Sequence, residues 1–375
     1  MHMALSKRTT KAKTKKAPAK ARTKTSDIFR EFLEHNEAKS AEFVSSEQTL
    51  WRDQYKVKYP AEIVAMKCMD GRLNMSIMTQ TPVGIIQPYR NLGGVFDIGS
   101  HFGEVLGDRI NRATKVNGND VLVLVTYHWS KGTKECGCKG FGYDVDAACA
   151  YVSESLLDLE DVFGKDHHVI YPVKVGIETD EDTLVFHGAG GKKLDMSEMA
   201  SDSRDILRAA LAELYPDMNE NMMKSLVKLC VGNIRHIAEI RKTKRSPIDL
   251  DHKENILAVG RGFDWFHLPN RMLIVGPYSL DLKKPIVTAG KIILSNIKEG
   301  RIPKKDGFLL VTSTPYRNEA GFERQRVVKK SQSLMEFALA ALEEEVPELM
   351  EYLHIGAGVV SERTRYFTKV DPRRK

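Results

Sequence analysis

Three residues at the end of a short apolar run could do chemistry together. Ile63-Val64-Ala65-Met66 predicts a buried strand, and Cys68, Asp70 and Arg72 follow it in the stretch AMKCMDGRLNMS. A second apolar run, Val121-Leu122-Val123-Leu124-Val125-Thr126, stops at His128, and Cys136 and Cys138 come next in the polar loop HWSKGTKECGCKGFGYD. Two sulfurs and one imidazole form the donor set that holds a catalytic zinc with one open position. Thiolate donors favour zinc over magnesium or calcium. Zinc lowers the pKa of a bound water toward neutrality, so the expected nucleophile is a zinc-bound hydroxide.

Asp70 and Arg72 fit beside such a metal. The carboxylate can orient the hydroxide, or swing in and close the site as a fourth ligand. Arg72 can hold it in the outer position through a charge-assisted pair. Only one of Cys136 and Cys138 can complete a site that keeps a water. Cys138 is preferred: Gly137 and Gly140 let the chain turn beside a metal, and a helix beginning near Asp144 favours thiolate. Cys136, with the shorter loop from His128, is the alternative.

The elements that must position these groups alternate. A helical region covers 26–57, and strands follow at 62–67 and 84–87, the second leading into Pro88-Tyr89-Arg90-Asn91. A helix is expected over 99–112, the strand 121–126 next, then a helix over 144–157 and a hairpin over 168–187 closed by Thr-Asp-Glu-Asp. Strands alternating with helices predict an α/β fold, a mainly parallel sheet flanked by helices. Sites in such sheets form at the carboxyl ends of strands, which brings Cys68 and His128 to one edge. Cys149 and Cys230 lie in predicted helices and read as core, and GAGGKK (188–193) reads as a turn.

The second half echoes the first. ILAVGRGFDW repeats IVAMKCMDGR at an offset of 193, IVGPYS repeats IIQPYR at 189, and FLLVTSTP repeats LVLVTYHW at 186. In this register Arg261 stands where Cys68 stands and Thr314 where His128 stands. The expected organisation is a basic tail over 1–25, a zinc-binding domain over 26–195 and a degenerate, metal-free copy over 200–375.

The 375-residue chain is 42% hydrophobic, ample for a core, and carries a net charge of +7. Residues 1–25 hold nine of the 57 basic residues and no acid, leaving 48 bases against 50 acids in the body. The tail composition predicts disorder, and its charge suits an acidic protein or a nucleic acid. Five cysteines, an odd number, argue against a disulfide framework. No run approaches the ~18 apolar residues of a membrane span, so a cytoplasmic protein is expected.

The order Cys68-x-Asp70-x-Arg72, then Arg90-Asn91, then His128 and Cys138, resembles the β-class carbonic anhydrases over about residues 26–190. Most members have His-x-x-Cys, whereas nine residues separate His128 from Cys138 here. A longer loop and a metal-free second half resemble the carboxysomal shell subgroup. The resemblance implies reversible hydration of carbon dioxide to bicarbonate, with Zn2+ on Cys68, His128 and Cys138 and with Arg90 and Asn91 as substrate-side helpers. It also implies a homo-oligomer of pseudo-dimeric chains, in the cytoplasm or in a bacterial microcompartment. A hydrolase of carbon disulfide or carbonyl sulfide would use the same ligands. A non-catalytic, zinc-stabilised scaffold with a binding tail is the reading from another class.

Overall fold

The computed structural model describes residues 26–167, 170–243, 252–264, 268, 270–319 and 321–373. The basic tail lies outside these residues. The helical lead-in divides into α1 (Asp27–Val44) and α2 (Ser46–Lys58), because Ser45 ends one helix and caps the next, its hydroxyl accepting from Gln48 N at 3.3 Å. Ser45 and Gln48 have the spacing of a capping box.

The first sheet runs β2-β1-β3-β4-β5-β6. β1 (Glu62–Cys68) pairs parallel with β2 (Ile86–Asn91) and with β3 (Val121–Trp129). β4 (Ile170–Glu178) extends the parallel set, and β5 (Thr183–His187) and β6 (Lys193–Asp195) return antiparallel. The chain leaves β1 toward one side for β2 and crosses to the other for β3, so the direction of winding reverses at β1. That reversal opens a crevice at the carboxyl ends of β1 and β3.

Two boundaries differ from expectation. β2 continues through Pro88, Arg90 and Asn91, which were expected in a loop; it is an edge strand, where a proline removes no needed donor. β3 contains His128 rather than ending before it. In strand alternation His128 shares the face of Leu122 and Leu124.

The second sheet has the order β8-β7-β9-β10-β11, formed by β7 (Ile256–Gly260), β8 (Met272–Val275), β9 (Phe308–Tyr316), β10 (Leu353–Ser361) and β11 (Phe367–Val370). Its first four strands are parallel and β11 is antiparallel. Strand for strand, this is the order and direction of β2-β1-β3-β4-β5. Both halves are therefore mainly parallel sheets flanked by helices, an α/β fold.

Each sheet is covered on one face by its own helices. Val64, Met66, Val123 and Val125 pack with Phe102, Leu106 and Ile110 of α4 (His101–Asn111) and with Ala148 and Val152 of α5 (Val145–Phe163). The other faces are covered reciprocally. Ile28, Phe29 and Phe32 of α1 pack on Ile256, Ala258, Leu309 and Val311 of the second sheet. Helix α7 (Glu220–Thr243), which precedes the second sheet, docks on the first: Asn233 donates to Met78 O at 2.9 Å and to Asp182 O at 2.8 Å, and accepts from Leu184 N at 2.9 Å. A side chain at Gly232 would meet Thr79 O at 1.8 Å, so only glycine permits this approach. One apolar core runs through both halves.

Candidate metal centre

Cys68 ends β1 and His128 is the penultimate residue of β3, so the crevice receives a thiol and an imidazole from neighbouring strands. Cys138 arrives from the loop between β3 and α5. The start of that loop is tied to the β4–β5 turn: Ser130 donates to Asp180 at 2.7 Å, and Gly132 N donates to the same carboxylate at 2.6 Å. Farther on it rests against the turn after β2, where a Cβ on Gly140 would stand 2.6 Å from Gly93 Cα.

The ligand atoms of Cys68, His128 and Cys138 lie within 4.8 Å of one another, and all three residues are buried. Both ring nitrogens of His128 are buried without a hydrogen-bond partner, a costly state for an imidazole that binds nothing. The Cys68 thiol is drawn well down, first by the Cys138 side chain, while Cys138 is pushed up by the same contact and by burial. Backbone N–H groups of Gly140 and Phe141 pull the Cys138 sulfur the other way. They belong to the turn Lys139–Phe141 that directly follows Cys138. The donors expected from the helix near Asp144 are instead capped by Asp144 itself, which accepts from Ala147 N at 3.0 Å. Two thiols and an unpartnered imidazole fit a zinc ion by the chemistry of the donor set. Cys136 is half-buried and outside the cluster.

Asp70 is buried beside this cluster. Its Oδ1 accepts from Arg72 N at 2.9 Å and from Arg72 Nε at 3.1 Å, and its Oδ2 accepts from Arg72 Nη2 at 2.6 Å. Burial alone would raise the carboxyl, but the Arg72 guanidinium overrides it and holds Asp70 well below the usual carboxylate range. Arg72 Nη2 also donates to Cys136 O at 2.7 Å.

Arg90 and Asn91 are buried in β2. Arg90 donates to Asp70 O at 2.7 Å, to Leu73 O at 2.8 Å and to Asp264 Oδ1 at 2.6 Å. Asn91 Nδ2 donates to Val95 O at 2.7 Å. Arg90 thus braces the Asp70–Leu73 turn from beneath, and Asn91 braces the turn after β2. The second half presses on the same turn: Ile274 N donates to Met69 O at 3.0 Å, and a Cβ on Gly71 would meet Met272 O at 2.1 Å. Asp264, His252 and Glu254 also lie near this centre. They lie more than a hundred residues from Cys68, and no local pattern links them to it.

In the second half, Arg261 lines a cavity of about 60 Å³ with Tyr89, Tyr278, Arg317 and Glu362. Among the described residues no metal-binding cluster forms there.

No family profile matches this chain, and no curated protein matches it. Among solved structures it is similar to the β-carbonic anhydrase CcaA, at 15% identity over 45% of this chain and 100% of that one, with a TM-score of 0.29. It is also similar to the β-carbonic anhydrase CafA of the fungal pathogen Aspergillus fumigatus, at 17% identity over 50% and 99% of the two chains, with a TM-score of 0.27. A Mn-bound S38A mutant of a periplasmic metal-binding protein from Candidatus Liberibacter asiaticus overlaps 80% of this chain at 10% identity and a TM-score of 0.19. Likenesses at these scores decide nothing about function. No helix among the described residues is long and apolar enough to cross a membrane.

Proposed function

We propose that this chain is a zinc-dependent lyase that hydrates carbon dioxide reversibly to bicarbonate. The observation that carries the reading is the buried Cys68–His128–Cys138 cluster, with both His128 nitrogens unpartnered, set beside an ionised carboxylate that Arg72 holds in place. Cys68, His128 and Cys138 would hold the metal. When bound, zinc supplies Lewis acidity that brings the pKa of a coordinated water toward neutrality. The protein's own contribution is Asp70. Kept ionised by Arg72, it accepts a hydrogen bond from the attacking water and aims a lone pair at carbon dioxide. Hydration is an addition with no leaving group to protonate, so one oriented carboxylate suffices where a hydrolase of larger substrates needs a second acid.

The second half is best understood as a copy that has lost its thiols. The matched strand order of the two sheets and the reciprocal docking of α1 and α7 support this.

Metal analysis joined to stopped-flow carbon dioxide hydration tests the reading. One zinc per chain and fast hydration are expected, and Asp70→Asn should lose about 10–100-fold in rate while keeping zinc. Zinc without turnover at alkaline pH would make the centre structural, and full activity in Asp70→Asn would remove Asp70 from the reaction.

A further inference from the structure

We propose that the arginine-lined cavity between the two halves is a binding site for a phosphate group, free or carried as a phosphomonoester. The proposal does not depend on the activity given above.

The cavity lies at the carboxyl ends of β7 and β9. Winding in the second sheet reverses at β7, as it does at β1 in the first, and such a reversal leaves room for a ligand. Arg261 directly follows β7, Arg317 directly follows β9, and Arg365 lies between β10 and β11. Arg90 of β2, Arg109 of α4 and Arg112 just beyond α4 enter from the first half. Against these six arginines the lining has two carboxylates, Asp264 and Glu362. Both are already engaged: Asp264 accepts from Arg90 Nε at 2.6 Å and Glu362 from Arg317 Nε at 2.7 Å. Arg109 and Arg112 pair with Glu62 and Asp108, which lie outside this lining. Arg261 has no carboxylate within ion-pair distance among the described residues. Burial keeps the Tyr89 and Tyr278 phenols protonated, so they add no negative charge.

Such an excess of cations in a half-closed space needs an anion. Arg109 Nε is buried and makes no hydrogen bond, a state that calls for an acceptor the protein does not supply. Burial, aided by Arg109 and Arg52 and opposed by Glu362, lowers the Arg365 guanidinium to about 9, the mark of like charges crowded together. Size then selects among anions. The cavity holds about 60 Å³, whereas one water needs about 10–15 Å³ by the same measure. That is room for the four oxygens of a tetrahedral phosphate, whose charge and geometry suit the planar fork of a guanidinium. A cavity of about 310 Å³ continues outward and shares Arg112, Arg261 and Arg317 with the first. There four carboxylates offset four arginines, so the outer space suits the neutral polar body of a phosphomonoester rather than a second anion.

The test is isothermal titration calorimetry of the full chain with inorganic phosphate and with glycerol 3-phosphate, at fixed ionic strength. Arg261→Gln and Arg112→Gln are measured beside the native chain. The Arg112 side chain is 28% exposed, so its variant serves should Arg261→Gln fail to fold. The native chain should take up one phosphate, each variant should bind about tenfold or more weakly, and chloride or bicarbonate should compete poorly. Tighter binding of glycerol 3-phosphate than of inorganic phosphate identifies a phosphomonoester as the occupant, and equal or weaker binding identifies free phosphate. No saturable binding by the native chain, unchanged binding in the variants, or equal competition by chloride or bicarbonate overturns the proposal.

Discussion

At the residue scale, the roles of the two loop cysteines separate on geometry. Cys138 sits with Cys68 and His128, and Cys136 lies outside that cluster. Cys138→Ser should therefore lose zinc and activity together, whereas Cys136→Ser should keep its zinc. Metal content by atomic emission decides, and loss of zinc from Cys136→Ser would reverse the assignment. The Cys-x-Asp-x-Arg motif was legible because its three residues act within one turn. The work of Arg90 was not. A buried arginine is held by whatever acceptors the fold delivers, and one of these, Asp264, is 174 residues away. Sequence spacing places a side chain on a strand and says little about what meets it there.

At the element scale, β1, β3 and the β4–β5 hairpin were legible because their apolar runs are long and their turns polar. The end of β2 was missed because proline reads as a break unless the strand is known to be at an edge. One consequence of the β3–β4–β5 order concerns acid stability. Gly176 lies opposite Tyr127 in the parallel register, and a Cβ there would meet the Tyr127 hydroxyl at 2.9 Å. The bare backbone lets Tyr127 reach across β4 to His187 Nε2, 2.9 Å away. Burial, aided by Lys174 and Lys193, pushes His187 down to about 4. An unfolded imidazole titrates near 6.5, so between these values the unfolded chain binds the extra proton. Stability from this site is complete above about pH 6.5 and declines as pH falls toward about 4. The melting temperature should drop over that interval in the native chain and drop less in His187→Gln. Equal drops would mean that His187 is not the group being protonated.

At the scale of the whole molecule, the halves are interlocked rather than adjoining. The two sheets share one strand order, but the exchange of helices was not legible in the sequence, because an amphipathic helix shows an apolar face without showing what it covers. Helix α1 belongs to the first half in sequence and to the core of the second sheet in space, where Asn36 also donates to Arg365 O at 3.0 Å and accepts from Phe367 N at 2.8 Å. Helix α7 does the reverse. A fragment of residues 1–200 would expose the sheet face that α7 covers and leave α1 without a surface, and a fragment of 201–375 would fail in the mirrored way. Apolar faces of this kind resemble the interfaces of obligate dimers, which bury on the order of 2,000 Å² or more. The turn carrying Asp70 is braced from the second half by Asp264, Ile274 and Met272, so metal retention should follow assembly. Each fragment expressed alone should aggregate or unfold without cooperativity. The two co-expressed should purify as a 1:1 complex that holds zinc, measured by size exclusion, circular dichroism and metal analysis. If residues 1–200 alone were monomeric, unfolded cooperatively and bound zinc, the second half would be an appendage and its contacts with the Asp70 turn incidental.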